Sequence, residues 1–117
     1  MIRYSENGFW VERTDDVYRI GLSPKGQDDL GTVSFVEISA DDVLDRSEPF
    51  LSVEAAKAVT DLLPPLNAQV VEWHKDIEDN PDLLNREFAD SNWVVKVSAV
   101  NEEEYLALSE QDFPFVD

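Results

Sequence analysis

From Phe9 to Val97 the chain is a succession of short runs of Val, Ile, Phe and Trp, separated by polar residues or by Gly and Pro. Runs this short and this evenly spaced are the pattern of antiparallel strands joined by turns, so the chain is constrained towards a sandwich or a barrel. Strands are predicted over 9–12, 17–21, 32–38, 50–54, 58–63, 68–73 and 93–97. Alternation is clearest where Val17, Arg19 and Gly21 oppose Tyr18, Ile20 and Leu22, an arrangement that turns one face to a core and the other to solvent.

Three helical pieces interrupt the strands. Ser23 before Pro24 supplies an N-cap and a residue suited to the first helical position, and Gly31 after Leu30 supplies a left-handed stop. Asn80 and Pro81 repeat the entry signal before a turn or two over 82–85. The third piece is a C-terminal helix: Asn101 caps it, Glu102, Glu103 and Glu104 fill the first turn where the helix dipole favours negative charge, and Tyr105, Leu106 and Leu108 form a buried stripe. Residues 41–48 are polar enough to read as a loop.

The length of 117 residues suits one domain, spanning 1–117. Nine Lys and Arg stand against 26 Asp and Glu, a net charge of −17 with the single His neutral. Such a surface repels phosphate backbones, which excludes nucleic acid as a partner. No apolar run approaches the roughly 18 residues of a membrane span, and the start of the chain lacks the basic-then-apolar pattern of a signal peptide. A cytosolic protein that engages no membrane is expected. There is no cysteine, hence no disulfide, no thiolate metal site and no thiol chemistry of the chain's own. Redox activity would need an attached group.

One stretch concentrates the functional signal. Between Phe50 and Leu63, two strand-like runs flank an apex of small residues, Ala55, Ala56 and Ala58, around a single lysine, Lys57. A hairpin there presents a solvated amine, leaves room for another protein's active site to close over it, and puts no competing group nearby. Side-chain amines titrate near ~10.4 and are almost wholly protonated at neutral pH, so an unaided lysine is a poor nucleophile. Lys57 therefore reads as a modification site activated by a separate ligase, and no catalytic residue is assigned.

The segment 53–62 resembles the Glu-Ser-Val-Lys-Ala lipoylation segment of the glycine cleavage system H protein family, with the lysine in register at Lys57 and the glutamate retained as Glu54. The resemblance runs along the chain in order: 17–23 resembles the family's early strand, 30–37 its Leu-Gly-Asp-Ile-Val-Phe-Val-Glu strand, 77–85 its Leu-Glu-Asp-Ser-Pro-Glu-Leu-Val-Asn turn, and 93–97 its late Trp-containing strand. It implies a mainly β fold, a flattened lipoyl-domain-like β-sandwich (barrel-sandwich hybrid) with short helices. It also implies a carrier with lipoate joined to Lys57 as an amide. The partners implied are a lipoate ligase or lipoyl transferase, glycine decarboxylase, aminomethyltransferase and lipoamide dehydrogenase. Glu54 either holds the hairpin through a backbone hydrogen bond or helps a ligase recognise the turn.

The chain also departs from the family. Gly8 stands where many H proteins have His, 67–70 replaces a Ser-Gly-Glu-Val turn, and 85–90 replaces an Asn-Glu-Asp-Pro-Tyr-Gly segment. A branch of H-like paralogues tied to redox stress, to ADP-ribosylation by a sirtuin and to a macrodomain protein resembles the chain over 27–33 and 105–108. In that branch the acceptor would be Asp28 or Asp29; the plainer reading is that both are solvated helix carboxylates.

Other residues carry less. His74 has no second His and no Cys to join it in a metal site and reads as a loop histidine, and Trp10, Trp73 and Trp93 fall on predicted strands where such rings pack cores. A biotin carrier would flank its lysine with Met, whereas Lys57 lies between Ala56 and Ala58. An unmodified acidic interaction module is the remaining alternative, and it leaves the ordered resemblance unexplained.

Overall fold

The computed structural model describes residues 1–114. Two antiparallel sheets form a sandwich. The larger has six strands in the order β1 (Ile2–Tyr4), β2 (Phe9–Thr14), β3 (Val17–Leu22), β9 (Trp93–Ser98), β8 (Ala68–Trp73) and β5 (Val43–Leu44). The smaller has three, β4 (Val33–Ile38), β6 (Leu51–Ala55) and β7 (Val59–Leu62), with β6 in the middle. Four short α-helices, α1 (Pro24–Leu30), α2 (Asp76–Asp79), α3 (Ala89–Asn92) and α4 (Glu102–Leu106), and a 3-10 segment (Pro81–Asn85) occupy the connections. The mainly β sandwich with short helices and a C-terminal helix, expected from the spacing and the resemblance, is the observed fold.

The core follows from the alternation. In β3, Tyr18, Ile20 and Leu22 are buried, as their alternation predicts. Phe9 and Val11 of β2 join them, and Val33, Val36, Leu51 and Val53 face them from the smaller sheet. Phe9 meets Phe50 edge to face, with ring centroids 5.2 Å apart. The central strand β9 is covered on both sides, so adjacent Val94 and Val95 are both fully buried, and its sequence accordingly reads as an apolar run rather than an alternation.

The helix ends obey their capping residues. The Ser23 hydroxyl accepts from the Gly26 N–H at 3.2 Å, and the Asn101 side chain accepts from Glu103 and Glu104. Asn80, read as a third cap, makes no such side-chain bond. Tyr105 is wholly buried and its hydroxyl donates to the Met1 carbonyl at 2.9 Å. Leu106 corrects the stripe expected in that helix, because it is 49% exposed. Adjacent residues of an α-helix point about 100° apart, so packing Tyr105 on the core turns Leu106 towards solvent.

Strands β1 and β5 and helices α2 and α3 were not anticipated. Each has two to four residues, too few for a diagnostic pattern to repeat convincingly. The two strands are fixed by partners elsewhere in the chain: Ile2 pairs with Glu12, and Leu44 with Ala68, so residues 43–44 inside the expected loop are a strand.

Candidate functional site

Lys57 lies at the end of the smaller sheet, in the two-residue turn between β6 and β7. Ala55 and Ala58 close the turn by exchanging backbone hydrogen bonds of 2.8 and 3.3 Å, leaving Ala56 and Lys57 as its tip. Two-residue hairpin loops favour positive φ, which matches the twist of the strands they join. The β2–β3 turn follows that rule, with Asp15 at φ 57°, whereas neither Ala56 nor Lys57 has a positive φ. The lysine turn is held from outside instead. The Ala56 N–H donates to the Thr32 carbonyl at 2.9 Å, and the Lys57 N–H donates to the Leu30 carbonyl at 2.8 Å.

Gly31, between those two carbonyls, is the reason the turn can approach. Its φ and ψ of 72° and −158° fall in a region open essentially to glycine alone. A Cβ at this position would stand 3.2 Å from both Ala56 Cβ and Lys57 Cγ. The residue anticipated as a helix stop thus doubles as the seat of the lysine turn. A Leu-Gly-Thr sequence after a capped helix carries no sign of that second role, because the contact spans about 26 residues of chain.

The lysine side chain is 59% exposed. Its ammonium has a partner, which corrects the expectation that nothing nearby competes for it: Nζ donates to the Asp28 carbonyl at 2.9 Å, and an Asp28 carboxylate oxygen lies 3.9 Å away. Asp28 and Asp29 diverge. Asp29 turns to Lys25, 2.5 Å from its Nζ, and only Asp28 faces Lys57. The Glu54 side chain is exposed and makes none of the side-chain hydrogen bonds among the described residues, so the hairpin is held by backbone groups and not by this carboxylate.

The setting of the turn is anchored further back. Gln27 donates to the Leu84 and Arg86 carbonyls at 2.9 and 2.7 Å, fastening α1 to the 3-10 segment. Asn85 accepts from the Val33 N–H at 2.8 Å, and Glu78 accepts from the Ile38 N–H at 2.9 Å. Both ends of the outer edge of β4 are thereby covered, a usual remedy for an exposed strand edge.

The remaining singled-out residues stand away from the lysine. His74 is stacked on Trp93 with centroids 4.2 Å apart, and its Nδ1 is 2.6 Å from the Trp93 carbonyl. Trp10 is buried and donates to Asn92; Trp73 donates to the Asp41 carbonyl. Among the described residues no group of three or more His, Asp or Glu side chains is placed to hold a metal ion. Gly8, φ 96°, packs so closely on helix α1 that a Cβ there would come 2.7 Å from Gly26 Cα. That contact, together with the positive φ, accounts physically for glycine at this position. A cleft of about 680 Å³, lined by Tyr4, Asn7, Leu63, Pro64 and Glu104, opens past the far end of β7 from the lysine.

Comparison with known proteins agrees with this geometry. The model of the glycine cleavage H-protein family matches residues 2–113. A glycine cleavage system H-like protein of Staphylococcus aureus is 38% identical over 104 residues, covering 89% of this chain and 94% of its own. A glycine cleavage system H protein of Bacillus licheniformis is 39% identical over 97 residues, covering 82% and 76%. The crystal structure of a glycine cleavage system H protein from Mycobacterium marinum superimposes with a TM-score of 0.71 at 25% identity, covering 86% of each chain. The chain belongs to the glycine cleavage H-protein family.

Proposed function

We propose that the protein is a non-catalytic carrier that bears lipoate as an amide on Lys57. The observation that carries the reading is the tip of the β6–β7 hairpin, where a mostly exposed primary amine is flanked by Ala56 and Ala58 and rigidly seated by two backbone bonds. Those surroundings fit the group. Small neighbours leave room for a ligase, and an amide at Nζ loses the charge while retaining one N–H. When bound, lipoate supplies the disulfide–dithiol chemistry that takes up an aminomethyl group or reducing equivalents, which a chain without cysteine cannot supply. The protein's own part is presentation: a fixed turn raises the local concentration of a tethered group at successive partner sites to about the millimolar range. The partners are the ligase or transferase that attaches lipoate, glycine decarboxylase, aminomethyltransferase and lipoamide dehydrogenase.

The test is direct. With a lipoate ligase, lipoate and ATP, the wild type gains one lipoyl increment in intact mass and Lys57→Arg gains none. Label recovered on Lys25, Lys75 or Lys96 defeats the assignment.

One contact favours a second reading, in which the protein is an H-like paralogue regulated by a sirtuin and a macrodomain protein and does not serve glycine cleavage. The Asp28 carboxylate lies beside the lysine, 3.9 Å from Nζ, while the Asp29 carboxylate is held by Lys25, so Asp28 is the better ADP-ribose acceptor. A relative bearing the H-like name aligns over 89% of the chain. Full-rate glycine decarboxylation by the lipoylated protein rejects this reading; ADP-ribose on Asp28 only after lipoylation supports it.

A further inference from the structure

The outer face of the three-stranded sheet is an exposed apolar and acidic surface that begins one residue pair below the lysine turn. Cross-strand register places Phe35, Glu54 and Val59 side by side in the first outward row, and Glu37, Ser52 and Asp61 in the next. Phe35 is 49% exposed and Val59 78%. The two rows border a shallow depression of about 520 Å³. None of the three carboxylates forms an ion pair among the described residues, although Asp61 accepts from the Ser52 hydroxyl at 2.7 Å. No strand of this sheet contains a Lys or Arg.

The other sheet is arranged differently. Its Arg3, Arg13, Arg19 and Lys96 each pair with a carboxylate, Glu110, Glu102, Glu12 and Glu72 respectively. Acidic charge is therefore compensated on the larger sheet and left bare on the smaller one, around two exposed apolar side chains and beside the modifiable amine. Bare carboxylates repel nucleic acid and anionic lipid and attract a cationic protein face, while an apolar patch rimmed by charge is the usual anatomy of a docking surface.

We propose that this face, centred on Phe35 and Val59 and rimmed by Glu37, Glu54 and Asp61, is the docking surface for the enzyme that acylates Lys57, and that the enzyme meets it with an apolar anchor flanked by Lys or Arg. The proposal rests on the carrier reading. It assigns Glu54 to recognition as one member of a surface, and it makes the apolar pair the main source of affinity, with the carboxylates accelerating and orienting encounter.

The experiment follows acylation of the full chain by a purified lipoate–protein ligase with lipoate and ATP, read by intact mass at varied carrier concentration and salt. Phe35→Ser combined with Val59→Ser is expected to raise the ligase KM for the carrier about tenfold with kcat within about twofold. Glu37→Gln, Glu54→Gln and Asp61→Asn together are expected to abolish the rise in KM that the wild type shows between about 0.02 and 0.5 M salt. Val71→Ser, a change of an exposed residue on the larger sheet (54% exposed), is expected to leave both unchanged. Circular dichroism melts confirm that each variant is folded, and since all six altered positions are exposed, a misfolded variant is replaced by its single substitutions. Wild-type KM and salt response in the folded variants overturn the docking proposal while leaving the carrier reading intact. Failure of the wild type itself to gain a lipoyl increment overturns the carrier reading, and the docking proposal with it.

Discussion

The two sheets divide the work of the molecule. The six-stranded sheet is built around a central strand, β9, whose Val94, Val95 and Val97 are wholly buried, and its cations are matched to carboxylates. The three-stranded sheet contributes Val33, Val36, Leu51 and Val53 to the shared core, but its outer face carries unmatched acids and exposed Phe35 and Val59. The lysine is mounted on the smaller sheet, at a turn seated by α1 and Gly31. A carrier needs a rigid base and an unobstructed tip, and here the base is one sheet and the tip belongs to the other.

The largest effect expected to test this division is at Phe9. Phe9→Ala removes a fully buried ring that packs on Phe50, and should cost about 3–5 kcal/mol in urea unfolding. Val59→Ala, on the outer face of the smaller sheet, should cost less than about 0.5 kcal/mol. Equal losses would erase the distinction between framework and presenting surface.

Gly31→Ala comes next. It forces an alanine into a backbone region open essentially to glycine and presses its Cβ against Ala56 and Lys57, so a loss of about 1–3 kcal/mol is expected. Because the strain falls on the seat of the turn, the rate of Lys57 lipoylation should fall as well, even below the melting temperature. A variant that loses stability yet is lipoylated at the wild-type rate would show that the turn does not depend on its seat.

Tyr105→Phe sharpens the contrast at the larger sheet's edge. It removes the hydroxyl's bond to the Met1 carbonyl and should cost about 1 kcal/mol. Burial pushes the Tyr105 phenol above its ordinary value, against the opposing charge of Arg3. A folded-state pKa raised above the unfolded one gives stability that is complete below the unfolded value and lost as pH rises through the folded one. Alkaline melts of the wild type should therefore decline beyond about pH 10 more steeply than those of Tyr105→Phe.

The smallest effect is at the lysine itself. Lys57→Arg alters an exposed tip and should change stability by less than about 0.5 kcal/mol, measured by thermal melts, although it removes the modification site. A large loss would mean that the Lys57–Asp28 contact is part of the framework.

Much of this architecture was readable from local pattern. Seven strands were predicted within a few residues of their observed bounds, because Val17 to Leu22 and its counterparts alternate over a length that contains several periods. The caps at Ser23 and Asn101 were readable because a short polar side chain and the N–H groups it satisfies lie within three residues of each other. The position of Lys57 between two strands was readable for the same reason. Strands β1 and β5 are not, since two or three residues do not repeat a two-residue period and their pairing is decided by other segments of the chain.

The sequence by itself determined the strand-rich class, the capped helices, the lack of any thiol of its own and the placement of one lysine among alanines at a hairpin tip. Tertiary structure alone decided that Ala56 and Lys57 would form their turn without positive φ, that Leu30 and Thr32 would receive its N–H groups, and that Asp28 rather than Asp29 would meet the amine. The physical reason is range. Alternation and capping act between residues a few positions apart, while the seat of the lysine joins the end of one helix to a turn about 26 residues further along, and only the packing of both against a common core brings them within hydrogen-bonding distance.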